Sequence, residues 1–137
     1  MGSAPGNTTR VVCALIGDVS FDFTAELMAG ISGAGEKAKV RVIFLMGMQS
    51  YAGLMNRNVT QTVALNHNSV YDYASLTGAD AFIIACGSLS GFSGGGLDRR
   101  FLARFAKTPY VVLQERVAMD SPSRTYIVVD NYRSFSQ

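Results

Sequence analysis

The sequence predicts an α/β fold: a doubly wound, Rossmann-like parallel sheet of about five strands with helices on both faces. Three observations carry this. Short, wholly apolar runs recur along the chain, as they do in strands buried on both faces. Stretches with apolar residues at helical spacing lie between them. The alternation of the two persists from residue 11 to residue 129, which demands parallel pairing and right-handed crossovers.

The elements follow in order. Val11-Val12-Cys13-Ala14-Leu15-Ile16 is the first buried strand, ended by Gly17 and Asp18. Residues 24–38 form a helix capped by Thr24, with Leu27, Met28, Ile31, Ala34 and Ala38 recurring on one face. Gly30, Gly33 and Gly35 each cost its interior about 1 kcal/mol relative to Ala, which suggests close approach of the sheet or of a second subunit. Residues 40–46 are the second strand, rich in β-branched and large apolar side chains.

After an ambiguous stretch over 47–66, Val70, Tyr71, Tyr73, Ala74 and Leu76 return to helical spacing behind a cap at Asn68 or Ser69, and Gly78 stops the helix. Residues 81–86 are the third strand, and 87–96 a flexible glycine- and serine-rich loop. A helix over 97–106 turns Leu97, Phe101, Leu102 and Phe105 inward and Arg99, Arg100 and Arg104 outward. Residues 109–113 and 126–129 complete the sheet.

Composition bounds the function. With 137 residues, 48% hydrophobic and 16% charged, the chain makes one globular domain and excludes a disordered acidic or basic tail. A net charge of +2 carried on scattered Lys and Arg predicts no nucleic-acid binding by this segment. Its longest apolar runs reach about six residues, far short of the roughly 18 to 20 of a membrane span. Residues 1–10 read as a disordered leader or a remnant of expression, with no apolar segment of a signal peptide. Cys13 and Cys86 lie within apolar runs and read as buried free thiols, so a reducing, cytoplasmic location is expected.

In open parallel sheets ligands bind outside the carboxyl ends of the strands. Those ends nominate Phe21, Asp22 and Phe23 after the first strand, Gln49 and Ser50 after the second, and Ser88 and Ser90 after the third. Glu115 and Arg116 follow the fourth, and Asp130 and Asn131 the fifth. Phe21 and Phe23 flank a carboxylate where rings close on a planar or sugar ligand, although one ring equally well staples the helix start to the core.

Catalytic patterns are not met. Gly30-Ile31-Ser32-Gly33-Ala34-Gly35 has the glycine separation of a phosphate loop, but Glu36 stands where its Lys is required. The turn after the first strand has a single glycine, too few for a dinucleotide fingerprint. The third strand ends Ala85-Cys86-Gly87, without the aspartate of a phosphoacceptor domain. Gly87-Ser88-Leu89-Ser90-Gly91 departs from a nucleophile elbow, and the lone His67 has no ligand or triad partners at suitable spacing. The segment is expected to be non-catalytic, with no cofactor and no metal.

Four segments resemble the effector-binding module of the lac-repressor and galactose-repressor family, which has the type I periplasmic-binding-protein fold. They are Ala25-Glu26-Leu27-Met28-Ala29-Gly30-Ile31, Gly78-Ala79-Asp80-Ala81-Phe82-Ile83-Ile84, Thr108 to Arg116 and Ile127-Val128-Val129-Asp130-Asn131. Their order and separations match the family's first lobe. Departures lie at Phe21-Asp22, at Glu115-Arg116, and at Gly33 and Gly35, so effector identity does not transfer.

The resemblance implies that residues 11–131 are the N-terminal lobe of a sensor and that 132–137 begin a crossover to a second lobe. It implies a small-molecule effector, a sugar or nucleobase, bound between lobes whose closure rearranges a homodimer formed through the first helix. DNA would be contacted only through a domain absent from this chain, and no membrane is involved. Two alternatives are a sensor input for a diguanylate cyclase or kinase output, suggested by Tyr71-Asp72-Tyr73 and the glycine-rich loop, and a stand-alone flavodoxin-like enzyme.

Overall fold

The computed structural model describes residues 8–17, 22–47, 69–85, 89, 99–113 and 124–127. Its strands are β1 (Val11–Ile16), β2 (Arg41–Met46), β3 (Ala81–Ala85), β4 (Tyr110–Leu113) and β5 (Arg124–Ile127). They pair in parallel in the order β2-β1-β3-β4-β5. Helix α1 (Asp22–Ala38) joins β1 to β2, a 3₁₀ helix (Ser69–Thr77) precedes β3, and α2 (Arg99–Ala103) precedes β4. The predicted α/β sheet is therefore present, with helices on both faces.

Alternation along the strands sorts the core into two layers, because successive side chains of a strand point to opposite faces. Cys13 and Leu15 of β1, Phe82 and Ile84 of β3, and Tyr110 and Val112 of β4 pack with Tyr71, Ala74, Leu102 and Phe105 of the 3₁₀ helix and the α2 region. Phe105 meets Phe82 edge-on at 5.2 Å between ring centroids, and Tyr71 meets Phe101 at 5.8 Å, arrangements that suit the ring quadrupoles. On the other face Ala14, Ile16 and Ala85 lie under Leu27, Met28 and Ile31 of α1. Two alanines at the centre of that face leave room for a helix to lie low.

Gly35 is where α1 comes closest to the sheet. A Cβ added there would stand 2.5 Å from Cγ2 of Val42, so a sheet contact explains this glycine. Just beyond, the Val40 amide donates to the Gly35 carbonyl at 2.9 Å and the Lys39 amide to the Glu36 carbonyl at 3.1 Å, a Schellman ending. Lys39 fills its left-handed position, with φ of 54°, where glycine is the usual occupant. At the same amino edge of the sheet, the Asp80 carboxylate accepts from the Val11 amide at 2.8 Å while the Asp80 amide donates to the Val11 carbonyl at 2.8 Å. That reciprocal pair ties the start of β1 to the turn before β3.

Several boundaries differ from the sequence expectation. Helix α1 begins at Asp22, so Thr24 is an interior residue, 2% exposed, and not the cap. Asp22 lies in the first turn, where its carboxylate complements the positive end of the helix. Residues 69–77 coil as a 3₁₀ helix, a tighter winding that turns Tyr71 and Ala74, three apart, to the same side. It ends at Gly78, whose φ of 65° is the left-handed value the sequence assigned to a stop. Helix α2 is shorter than predicted, and β5 starts two residues early, at Arg124; residues 128 and 129 lie outside the described residues. Leu89, within the stretch read as a flexible loop, is 2% exposed and belongs to the core layer with Tyr71.

Replacing Gly35 by Ala should lower stability by about 1–2 kcal/mol, because overpacking against the stiff Val42 outweighs the gain in helix propensity. Chemical denaturation of the two proteins checks this, and equal or greater stability of the Ala variant would show that α1 does not approach the sheet as described.

Candidate functional site

The strand register gathers the carboxyl ends into one rim. Met46 stands beside Ile16, Ala85 beside Leu113 and Leu113 beside Ile127, while Leu15 beside Ile84 joins the two sets. In the sequence each nominated residue follows one of these five strand ends within about seven positions. The direction in which connections run reverses between β1 and β3, since β1 leads to β2 on one side and β2 leads back to β3 on the other. In open parallel sheets such a reversal marks the place, beside the carboxyl ends of the two strands, where ligands bind.

Of the nominated residues, Asp22 and Phe23 belong to the described part of the chain, and Phe21, Gln49, Ser50, Ser88, Ser90, Glu115, Arg116, Asp130 and Asn131 lie outside it, as do Cys86, His67 and the terminal segments 1–7 and 128–137. Asp22 is exposed at the N-terminus of α1, beside the rim. Its negative charge occupies the position where a helix end would otherwise favour an anion. A neutral polar ligand suits this position better than a phosphate. Phe23 is 45% exposed and lies on the flank of α1 that borders an apolar groove along the sheet face.

Tyr71 is the residue of the rim that sequence reasoning missed. Its side chain crosses the core layer and its hydroxyl donates to the carbonyl of Ile16, the last residue of β1, at 2.5 Å. The Gly47 amide donates to the same carbonyl at 3.0 Å and also faces the phenol oxygen. The buried hydroxyl thus ties the 3₁₀ helix to the end of β1, at the carbonyl that also pairs with Gly47 after β2. Burial pushes its pKa well above the usual tyrosine value, and the Gly47 amide opposes this in part. The sequence shows Tyr71 only as an aromatic at a core-facing position; a tyrosine in place of a phenylalanine there was the available signal that a polar partner lay within reach.

Cys13 is fully buried, and burial raises its pKa while a hydrogen bond with the Thr77 side chain lowers it. A thiol in that setting is inert as a nucleophile. Among the described residues no three His, Cys, Asp or Glu side chains are grouped so that they could hold a metal ion. No described helix is long and apolar enough to cross a membrane.

The groove beside Phe23 has a volume of about 630 Å³ and lies between α1 and the β3-β4-β5 face, lined by Leu27, Ile31, Ile83, Val111, Leu113 and Ile127. It sits away from the ends of β1 and β3, on a flat sheet face. A smaller hollow of about 350 Å³ lies on the opposite side, between the 3₁₀ helix and the α2 region. Arg104 spans its edge, ion-paired with Asp72 and stacked 5.5 Å from the Phe101 ring centroid.

No family model matches the chain, and neither the curated proteins nor the solved structures contain a match to it.

Tyr71→Phe removes the hydroxyl but leaves the Ile16 carbonyl its bond from Gly47, so the expected loss is about 1 kcal/mol at neutral pH. The raised tyrosine pKa fixes the sign of the pH dependence: the unfolded chain ionises first, so this contribution is whole below about pH 10 and declines as pH rises beyond it. Denaturation curves between neutral and strongly alkaline pH should therefore show wild type losing stability faster than the Phe variant above that point. Parallel curves would mean that the phenol is not buried.

Proposed function

We propose that the chain is a non-catalytic sensing lobe that takes a small polar effector, a sugar or a nucleobase, beside the carboxyl ends of β1 and β3. The observation that carries this reading is the strand order with its reversal between β1 and β3, with Asp22 and Phe23 at the start of the helix that follows β1. The exposed carboxylate of Asp22 favours a neutral ligand with hydroxyl or amino donors.

In this reading the lobe belongs to a cytoplasmic transcriptional regulator of the lac-repressor type. The four resembling segments support that assignment, and three of them include or adjoin β3, β4 and β5, elements that shape the rim. Ligand enclosed against a second lobe would change the lobe angle, and DNA would be contacted by a separate domain. The structural basis for a response is local: Tyr71 ties the end of β1 to the 3₁₀ helix, so movement of a bound ligand is transmitted to the sheet instead of being absorbed by a loose rim.

A second reading draws on the same strand order, which is also that of flavin-binding flavodoxin-like proteins, with the cofactor at the β1/β3 crevice. The turn after β1 supplies Ser20 as its one hydroxyl before Phe21, a poor phosphate cradle. We therefore place it second.

Titration calorimetry with a panel of hexoses, pentoses, purine bases and nucleosides separates these readings. One member of the panel should bind, and Asp22→Ala should weaken it about tenfold, as loss of one hydrogen bond to a charged group does. Absence of heat across the panel overturns the sensing reading, and flavin retained through gel filtration replaces it with the second.

A further inference from the structure

The hollow beside Arg104 combines an apolar floor with a charged edge. Gly78, Ala79 and Thr108, which line it, come just before β3 and β4, so it lies toward the amino ends of these strands, opposite to the carboxyl ends where an effector is expected. Its buried lining residues are Ala74, Phe82 and Phe105, all carbon at the surface they present. Its exposed ones are polar. Asp72 and Ser75 of the 3₁₀ helix stand on one side, and Arg104 and Lys107 of the α2 region on the other. The volume of about 350 Å³ falls at the lower end of the range that takes small molecules, roughly 300 to 1,000 Å³.

The charges at the edge select the kind of ligand. Arg104 donates from Nη2 to Oδ1 of Asp72, which engages one nitrogen of a guanidinium that carries five N–H donors and leaves the others for a second acceptor. The same guanidinium lies 5.5 Å from the Phe101 ring centroid and 6.0 Å from that of Phe105, so it is propped at the edge of the hollow on two rings. Among the described residues Lys107 takes part in no ion pair. Two cations against one carboxylate leave a net charge of +1 around the opening. That balance suits a single negative charge, and the aromatic floor suits a flat apolar body. A phosphate would leave the floor uncovered and set a second negative charge beside Asp72. A neutral apolar molecule would leave the Arg104 and Lys107 donors to water alone.

We propose that this hollow is a binding site for a small planar monocarboxylate, its ring against Ala74, Phe82 and Phe105 and its carboxylate between Arg104 and Lys107. The floor supplies most of the affinity, because charges at an exposed edge are screened by solvent. The two cations supply the preference for an anion. Asp72 is the opposing group: its carboxylate occupies part of the guanidinium that the ligand would otherwise hold alone. The site stands apart from the effector reading, and a panel of sugars and bases without heat would leave it intact.

Titration with benzoate, followed through backbone amide shifts by NMR, tests it. At low salt benzoate should move the amides of Ser75, Ala79 and Thr108 and saturate with a dissociation constant of about 1 mM. Benzamide, which keeps the ring and lacks the charge, should bind at least about fivefold more weakly. Arg104→Gln and Lys107→Gln, both at exposed positions where folding is spared, should weaken benzoate about tenfold and about threefold. Asp72→Asn should tighten it about threefold, which binding by apolar contact alone would not produce. Absence of saturable shifts up to about 20 mM benzoate overturns the proposal. So do equal affinities for benzoate and benzamide, shifts centred on Asp22 and Phe23, or an Asp72→Asn variant that binds no more tightly than wild type.

Discussion

A parallel sheet exposes no face cheaply, and the position of β1 makes that constraint govern this protein. Flanked by β2 and β3, β1 has Cys13, Ala14, Leu15 and Ile16 all at 0% exposure, alternately facing the two helical layers. Every other element is arranged around that requirement. Helix α1 covers Ala14 and Ile16; the 3₁₀ helix and the α2 region cover Cys13 and Leu15. The strand is then fastened at both ends by different chemistry, by the Asp80 carboxylate at its start and by the Tyr71 phenol at its finish. The reversal in strand order is a by-product of the same placement, because strands are added on both sides of β1.

Coverage of the sheet is uneven. At Val42 the α1 layer is tight enough to demand a glycine, while from Val12 across to Ile83, Val111, Leu113 and Ile127 it leaves the apolar groove. The groove is larger than the hollow beside Arg104, and apart from Glu26 its walls are apolar.

The order of elements was legible because a strand buried on both faces must be apolar throughout, as Val11 to Ile16 and Ala81 to Ala85 are, and no local interaction competes with that signal. Boundaries were less so. Thr24 has the side chain of a cap, but the helix begins two residues earlier, at Asp22, and Thr24 is buried within it. The 3₁₀ winding of 69–77 follows from tertiary packing that brings Tyr71 to Ile16, residues 55 apart in sequence, which no local pattern encodes. The site shows the same division. The line of strand ends was legible from topology; of the residues nominated along it Asp22 and Phe23 are described, and the other nine lie outside the described residues. Tyr71 was not legible, because its hydroxyl is hidden in an apolar periodicity where an aromatic ring reads as packing.

Lys39 gives α1 an unusual character. The helix places lysine at its left-handed terminus, where glycine would be relaxed, and glycine in its interior, where almost any other residue would propagate it better. Such a segment has little helicity of its own, and a turn nucleated in the isolated chain would not survive. It is held by Leu27, Met28 and Ile31 against a sheet that must already exist. The protein thereby lays over its most buried strand a helix whose formation depends on the sheet beneath it.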